Sequence, residues 1–294
     1  MKITMLSEID YAGSGYRLCE AINQHTDHDI RIFTGKYYNP FGFPDNSKWE
    51  RRFVQDRINE SDIVHLKGDF PPVNGRCMGF NISHKPIMIT VSGSHFRKKE
   101  HGGYEKYTLK DYDGLIKTAF THDLLYEGFD IWIPHPIDST RYMNAWKCDE
   151  PMMLHIPSRR DVKGTAFVEK VFAKLEAKGI KCSIREKVIH KEAIELKKEC
   201  CIYFDQFNVG FYGNSAIEAM QYGIPVAAWI RDHLPGCPVI SEPRDVDMWV
   251  SRILKVLGND MRNLSVKTKY WCDTVHGYQA VAEKVSDIYD FAAI

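Results

Sequence analysis

Residues 211–229, FYGNSAIEAMQYGIPVAAW, place two glycine turns, a polar pair and a glutamate directly before an apolar run. Gly213, Asn214 and Ser215 can begin a helix, whose first turn has unpaired N–H groups and a partial positive charge. Gly223 ends that helix, and Pro225 leads into the apolar strand. The stretch therefore predicts a helix followed by a strand, which is the repeating unit of an α/β sheet.

The start of this helix has two interpretations. An exposed helix N-terminus binds phosphate well, so the turn at Gly213 is a candidate ligand site. Glu218 follows Ser215 by three residues, where the glutamate of a capping box lies, so the same residues also fit a helix that is merely well capped. The local residues leave both interpretations open.

The same alternation of short apolar runs and amphipathic helices continues through most of the chain, which predicts βα units and mostly parallel sheets. Around residues 131–151 the periodicity stops, and Pro134, Pro136 and Pro151 punctuate the sequence. Beyond this point the alternation restarts. The sequence therefore predicts two successive α/β halves.

Composition excludes several classes of protein. The 294 residues are 44% hydrophobic and have a formal net charge of +0, so no whole-molecule field attracts nucleic acid or an acidic membrane. The eight cysteines include no CxxC pair and no His/Cys spacing typical of zinc, which indicates reduced cysteines and a cytoplasmic protein. We expect neither a signal peptide nor a transmembrane segment, whereas peripheral membrane contact remains open.

Several motifs in order resemble glycosyltransferases of the GT-B fold, particularly retaining family 4. "YGNSAIEAM" and "YGIPVAAW" are similar to the family's donor-site helix and strand, and "LHIPSRRDVKGT" (154–165) to the loop that meets the donor diphosphate. "IPHPIDSTRY" (133–142) resembles the interdomain linker, "DYAGSGYRLCEAIN" (10–23) the first glycine loop, and "TVSGSHFRK" (90–98) a Gly-x-Asp/His-x-Arg loop. The resemblance implies two Rossmann-like domains with a cleft between them: an acceptor domain over 1–135, a donor domain over 150–274, and a helix over 275–294 that packs back on the first domain.

The resemblance also implies roles in the donor domain. Lys163 matches the family lysine at the diphosphate, with Arg160 on the same loop, and Glu218 matches the glutamate that accepts hydrogen bonds from the ribose hydroxyls. Gly213, Asn214 and Ser215 match the amides beneath the diphosphate. These positive groups would replace a metal ion, so no cofactor is expected beyond a nucleotide-sugar donor, a UDP- or GDP-sugar. A solvated basic loop is the alternative for Arg160 and Lys163.

In the first half, Gly13 and Gly15 would allow the backbone to approach the donor or acceptor, although an ordinary turn with positive φ fits them equally. His95 and Arg97 follow a predicted strand at the end where ligands bind in open α/β sheets. His95 is a candidate catalytic residue that contacts the sugar or the acceptor, and Arg97 a candidate donor contact. A surface or partly buried histidine is the alternative for His95.

One departure from the family pattern concerns the sugar. Many relatives have a second glutamate eight residues before the first, but position 210 is Gly, within "YFDQFNVGFYG" (203–213). Sugar contacts are therefore expected from Asp205, Gln206 or the backbone of residues 210–213. A turn-forming role is the alternative for Asp205.

These features predict a retaining, metal-independent glycosyltransferase that acts on a glycan or a lipid-linked acceptor. DNA with modified bases is the alternative acceptor, because residues 83–110 interleave tyrosines with basic residues: Lys85, Arg97, Lys98, Lys99, Lys106 and Lys110. An inactive nucleotide-binding module is a further alternative, as is an isomerase of nucleotide sugars.

Overall fold

The computed structural model describes residues 1–36, 47–97, 103–139, 142–144, 146, 148, 150–232 and 234–293. The chain divides into two units. The first takes its described residues from Met1–Lys99, Gly103–Asp138 and Gly277–Ile294, and the second from Ser139–His276. Both units are α/β, as the alternating pattern predicts.

The first unit contains a six-stranded parallel sheet with the order β2-β1-β3-β6-β7-β8 and an antiparallel pair, β4-β5. Its strands and helices in chain order are β1 (Lys2–Ser7), α1 (Ser14–His25), β2 (Asp29–Thr34), α2 (Arg51–Glu60), β3 (Ile63–Lys67), β4 (Arg76–Cys77), β5 (Phe80–Asn81), β6 (Ile87–Val91), β7 (Ile116–Ala119), β8 (Ile131–Trp132) and α9 (Tyr278–Ala292). Among the described residues, 3₁₀ helices cover Tyr11–Gly13, Leu109–Tyr112 and His122–Glu127.

The last helix, α9, belongs to this first unit. It packs against α1, and its Val281, Val285 and Tyr289 are buried in the same core cluster as Ile3 and Leu18. The i, i+4 spacing of the valines and of Tyr289 creates this apolar face, which the sequence periodicity predicts. The first sheet therefore takes one of its covering helices from the far end of the chain.

The second unit contains a four-stranded parallel sheet with the order β10-β9-β11-β12. Its strands and helices are β9 (Met152–His155), α3 (Arg160–Lys163), α4 (Thr165–Glu176), β10 (Lys181–Ile184), α5 (His190–Lys198), β11 (Ile202–Phe204), α6 (Asn214–Met220), β12 (Val226–Ala227), α7 (Val246–Leu257) and α8 (Met261–Trp271), followed by a π-helical turn over Cys272–His276. Phe204, Phe207 and Trp249 fill the core beside α4 and α7.

The expectation of reduced cysteines is wrong for one pair. Cys148 and Cys201 form a disulfide with a Cα–Cα distance of 5.1 Å. The two residues are 53 positions apart, so only the folded chain shows that the segment before β9 passes the start of β11. Among the described residues, no helix is long and apolar enough to cross a membrane.

Candidate functional site

In the second unit, a buried carboxylate joins two loops at the carboxyl end of the sheet. Asp205 follows β11, and its Oδ1 pairs with the ammonium of Lys163 at the end of α3. Its Oδ2 accepts a 2.7 Å hydrogen bond from the amide of Gly213, which directly precedes α6. The structure thus brings Lys163, Asp205 and Gly213 together, although the lysine is 42 residues from the aspartate.

The turn between α3 and α4 positions Lys163. Gly164 has a φ of +68°, and a Cβ at this position would lie 2.9 Å from both Asn208 and Phe207. A glycine is therefore required by conformation and by space. Below this turn the His155 ring donates from Nδ1 to the carbonyl of Phe204, 2.9 Å away, and its Nε2 lies 3.0 Å from the Thr165 hydroxyl.

The second acidic residue of the site is Glu218 on α6. Its Oε1 accepts a 2.9 Å hydrogen bond from Nε2 of His190, and its Oε2 pairs with Nζ of Lys197 at 2.8 Å. Both partners come from α5. The side chain of Glu218 is only 9% exposed, so α5 and α6 hold this carboxylate at the edge of the core.

Two other predicted donor contacts near α6, Ser215 and Gln206, have partners within the protein. The Ser215 hydroxyl lies 2.7 Å from the hydroxyl of the buried Tyr203, whose pKa burial raises well above the ordinary value. The amide of Gln206 donates to the carbonyl of Phe211 at 3.3 Å. Asn214 begins α6 and is partly exposed. These contacts order the loop from β11 to α6.

Arg160 does not join Lys163 in the site. Its guanidinium is paired with Glu186 at 2.7 Å and with Glu169 at 2.5 Å, and its side chain is 49% exposed. In this conformation Arg160 connects α3, α4 and the end of β10 at the surface. A ligand phosphate would therefore have to compete with two carboxylates for it.

The missing second glutamate has a conformational explanation. Gly210 has a φ of +89°, in the region that favours glycine. Its carbonyl accepts a 2.9 Å hydrogen bond from the amide of Arg231, which holds the loop in this shape. A glutamate at this position would impose strain on the backbone.

In the first unit, an aspartate occupies the turn that the sequence assigns to Gly13 and Gly15. Asp10 accepts hydrogen bonds from the amides of Gly15 and Tyr16 at 2.8 and 2.9 Å, and its Oδ1 lies 2.9 Å from Nζ of the buried Lys67. Gly13 has a φ of +62°. The first amides of α1 are therefore held by the protein's own carboxylate.

A second aspartate orders the loop after β6. Asp69 accepts hydrogen bonds from the amides of Ser92, Gly93 and His95 at 2.8–3.1 Å, and its Oδ2 lies 3.4 Å from Nδ1 of His95. Burial alone would raise the pKa of Asp69, but the His95 side chain and these amides outweigh it, so the pKa lies below the ordinary value. The His95 ring also lies 5.5 Å from the ring of Tyr104.

Arg97, the predicted donor contact, is buried within its own unit. Its Nε and Nη2 donate to both oxygens of Asp123 at 2.6 and 3.0 Å, Nη2 donates to the Thr121 hydroxyl, and Nη1 donates to the carbonyl of Ser92. Because these N–H groups donate to protein acceptors, Arg97 stabilises the loop that carries His95. In this conformation its guanidinium is not positioned to bind a ligand through two parallel hydrogen bonds. Lys98 and Lys99 of the predicted basic stretch lie outside the described residues.

A pocket of about 180 Å³ lies at the carboxyl end of the first sheet. His95, Lys67 and Asp69 line it together with Glu8 and Tyr107. Among the described residues, no group of three or more His, Cys, Asp or Glu side chains could hold a metal ion. The pocket instead offers an imidazole, carboxylates and the ammonium groups of Lys67 and Lys106 within the same unit.

Sequence reasoning missed four residues that hold these sites: Asp10, Asp69, His190 and Lys197. Asp10 directly precedes the glycine loop and Asp69 follows β3, so acidic residues at strand ends were the available signal. His190 and Lys197 are seven positions apart on α5, a spacing that places them on the same helix face. That spacing alone does not show which residue the face meets.

Comparison with solved structures identifies the architecture. The chain is similar to a glycosyltransferase from Rickettsia africae (TM-score 0.62, 14% identity, covering 99% of this chain and 98% of that chain). It is also similar to HepE from Anabaena in complex with UDP-glucose (TM-score 0.56, 11% identity, 98% and 99%) and to UDP-GlcNAc 2-epimerase from Methanocaldococcus jannaschii (TM-score 0.53, 15% identity, 99% and 100%). No protein-family model and no curated protein sequence matches the chain.

At these identities the likeness shows the fold. The chain has the GT-B fold with two Rossmann-like domains, as the sequence motifs predict. In the second domain Lys163, Asp205 and Gly213 lie at the carboxyl end of a parallel sheet, where α/β proteins bind their ligands, and Glu218 lies one turn into α6.

Proposed function

We propose that the protein is a nucleotide-sugar-dependent glycosyltransferase, retaining and metal-independent. The observation that carries this proposal is the arrangement of Lys163 and Glu218 around the β11–α6 loop of a GT-B fold. A cation suited to phosphate and a carboxylate suited to a ribose diol flank the same loop. The solved structures with this fold include a complex with UDP-glucose, which supports a nucleotide sugar as the donor.

In this proposal the second domain binds a UDP- or GDP-sugar. An ammonium has three N–H donors, so Lys163 holds Asp205 and a β-phosphate oxygen together. Negative charge that develops on the departing diphosphate is stabilised by this ammonium and by the amides at the start of α6. The positive groups make a metal ion unnecessary.

Transfer with retention requires no separate base. The bond between the anomeric carbon and the β-phosphate oxygen breaks, the acceptor oxygen bonds to the same carbon, and the departing phosphate oxygen takes the acceptor proton. His95, on the pocket of the first domain, contacts the sugar or the acceptor. Asp69 Oδ2 lies 3.4 Å from Nδ1 of this ring.

We propose a glycan or a lipid-linked sugar as the acceptor. Carboxylates (Glu8, Asp69) and ammonium groups (Lys67, Lys106) line the pocket of the first domain, where they would accept hydrogen bonds from sugar hydroxyls and donate to sugar oxygens. DNA with modified bases stays the alternative acceptor because of the basic residues in 83–110.

A thermal-shift panel of UDP-, GDP-, CMP- and ADP-sugars tests the donor, followed by mass spectrometry of glycan and DNA acceptors. Glu218→Ala and Lys163→Ala should each weaken donor binding or turnover, by about 1.5–3 kcal/mol for a lost hydrogen bond to a charged group. Each substitution leaves a buried partner charge unpaired, so circular dichroism must show that the variant is folded under the assay conditions. Lys174→Ala, which removes a surface pair with Asp247, is the matched control. Unchanged turnover in both site variants would contradict the assignment.

A nucleotide-sugar isomerase is the second candidate, because an epimerase is among the structures with the same fold. Such an enzyme converts the donor without an acceptor and releases no nucleoside diphosphate. An inactive binding module would bind nucleotide with no turnover. Chromatography of the donor after incubation with and without acceptor therefore separates all three functions.

A further inference from the structure

Helix α5 holds both oxygens of the glutamate that the proposed function assigns to the ribose. His190 is the first residue of α5 and Lys197 lies in its last turn. They reach Glu218 Oε1 and Oε2 at 2.9 and 2.8 Å. The carboxylate is therefore fixed in orientation by a helix that contributes no residue to the sequence motifs.

The ion pair between Lys197 and Glu218 is buried, which costs hydration free energy. The side chain of Lys197 is 1% exposed, and its ammonium also lies 5.2 Å from the centre of the Tyr203 ring. Two buried charges lose their hydration, and apolar residues of similar volume would stabilise a core equally well. The retention of a charged pair at the edge of the candidate site points to a requirement for an oriented carboxylate.

The three side chains form a series from the core to the solvent. Lys197 is 1% exposed, Glu218 9% and His190 27%. A nucleotide that approaches Glu218 from solvent therefore meets the imidazole of His190 before it meets the lysine. His190, the more exposed of the two partners, restrains Oε1.

We propose that His190 is a positioning residue for nucleotide recognition, which sets the preference for a ribose over a deoxyribose by fixing the orientation of the Glu218 carboxylate. This inference rests on the proposed function, since it requires a nucleotide at Glu218. A cis-diol donates two hydrogen bonds with a fixed separation, and a carboxylate accepts both only in one orientation. Lys197 fixes Oε2 and His190 fixes Oε1.

The test measures how strongly the protein prefers a nucleotide with a ribose over the same nucleotide with a deoxyribose. Calorimetric titration first identifies which of UDP, GDP, ADP and CDP binds the wild-type protein most tightly, and then compares it with its 2′-deoxy and 3′-deoxy counterparts. We expect the wild type to prefer the ribonucleotide by roughly tenfold or more, as for a lost hydrogen bond to a charged group. His190→Ala should reduce this preference several-fold.

Matched variants separate positioning from folding. His190→Gln retains an N–H donor of similar reach and should restore most of the preference, whereas Lys191→Ala, an exposed neighbour on α5, should leave it unchanged. A general loss of structure would lower the affinity for ribo- and deoxyribonucleotides alike, and circular dichroism would detect it.

The outcomes are distinguishable. If the wild type binds none of the four nucleotides, the proposed function fails and this inference fails with it. If the wild type binds and discriminates but His190→Ala discriminates equally well, the inference alone is overturned. Equal binding of the ribo- and deoxy forms by the wild type would also overturn it.

Discussion

Asp205 neutralises a buried lysine and caps the backbone before α6 at the same time. It is fully buried, and its partners Lys163 and Gly213 come from two separate loops. Asp205→Asn keeps the shape and one acceptor for the amide but leaves the ammonium of Lys163 without its counter-charge. Because an uncompensated buried charge is costly, we expect the free energy of unfolding to fall by about 3–5 kcal/mol in urea titrations.

Asp161→Asn is the control for this prediction. Asp161 pairs with Arg159 at 2.6 Å, but its side chain is 68% exposed, so solvent screens the pair. The free energy of unfolding should change by less than about 1 kcal/mol. Equal effects of the two substitutions would show that burial of the Lys163 pair has no special weight.

Two buried histidines make stability depend on pH. Burial lowers the pKa of His65 to about 3 and that of His155 to about 4, against an ordinary value of 6.5. Below pH 6.5 these histidines bind protons in the unfolded chain but stay neutral in the folded chain. Their full contribution to the free energy of unfolding is therefore present above pH 6.5 and is lost as the pH falls toward 4. Each histidine should contribute a slope of up to about 1.4 kcal/mol per pH unit.

Urea unfolding at pH 7, 6 and 5 measures this slope. His65 lies between the hydroxyls of Tyr289 and Thr90, each 2.6 Å away, so His65→Gln keeps polar contacts and removes the titration. We expect the variant to be less stable than the wild type at pH 7 and to lose less stability on acidification. An identical pH slope in both proteins would contradict the role of His65.

At the scale of elements, the loop from β11 to α6 has a shape that only glycine adopts readily at position 210. Gly210→Glu, which introduces the glutamate of the family that the motifs resemble, places a side chain at a φ of +89°. We expect the free energy of unfolding to fall by about 1–3 kcal/mol, because a non-glycine residue in this region is strained. Urea unfolding measures the change.

Gly258→Ala provides the comparison at a helix end without strain. Gly258 follows α7 with a φ of −80°, and a Cβ there would lie 3.5 Å from the nearest atom, an ordinary contact. Its effect should stay within about 0.5 kcal/mol. If Gly210→Glu is equally harmless, the glutamate is absent for a reason other than the backbone.

Helices and strands were predictable from the sequence where apolar residues repeat with a regular period. Site residues were predictable where the sequence resembles a known motif. The periodicity of "TAFVEKVFAKLE" predicts α4, and the motifs predict that Lys163 and Gly213 belong to the same site. The hydrogen-bond and ion-pair partners of the predicted residues could not be predicted from the sequence, because they depend on which helix face packs against which loop. Arg97 shows the consequence: its position after Gly93 suggests a ligand contact, yet Asp123 holds its guanidinium.

At the scale of the whole molecule, the two units differ in how the chain forms them. The described residues of the second unit come from one continuous stretch, Ser139–His276. The first unit needs the segment from Gly277 onward, since α9 supplies part of the core around α1. The described part of the second unit therefore comes from one continuous segment of the sequence, whereas the first unit is complete only when the last helix is present.

Deletion of residues 278–294 tests this dependence. The deletion removes Val281, Val285 and Ile288 from the core of the first unit, and each large apolar side chain contributes about 1.5–3 kcal/mol when buried. It also leaves His65 without the hydroxyl of Tyr289. We expect limited proteolysis to cleave within residues 1–138 and to leave a resistant fragment near 139–276. A control that lacks only residues 293–294 should resist cleavage as the full chain does. Equal protease resistance of residues 1–138 with and without α9 would show that the first unit does not need its last helix.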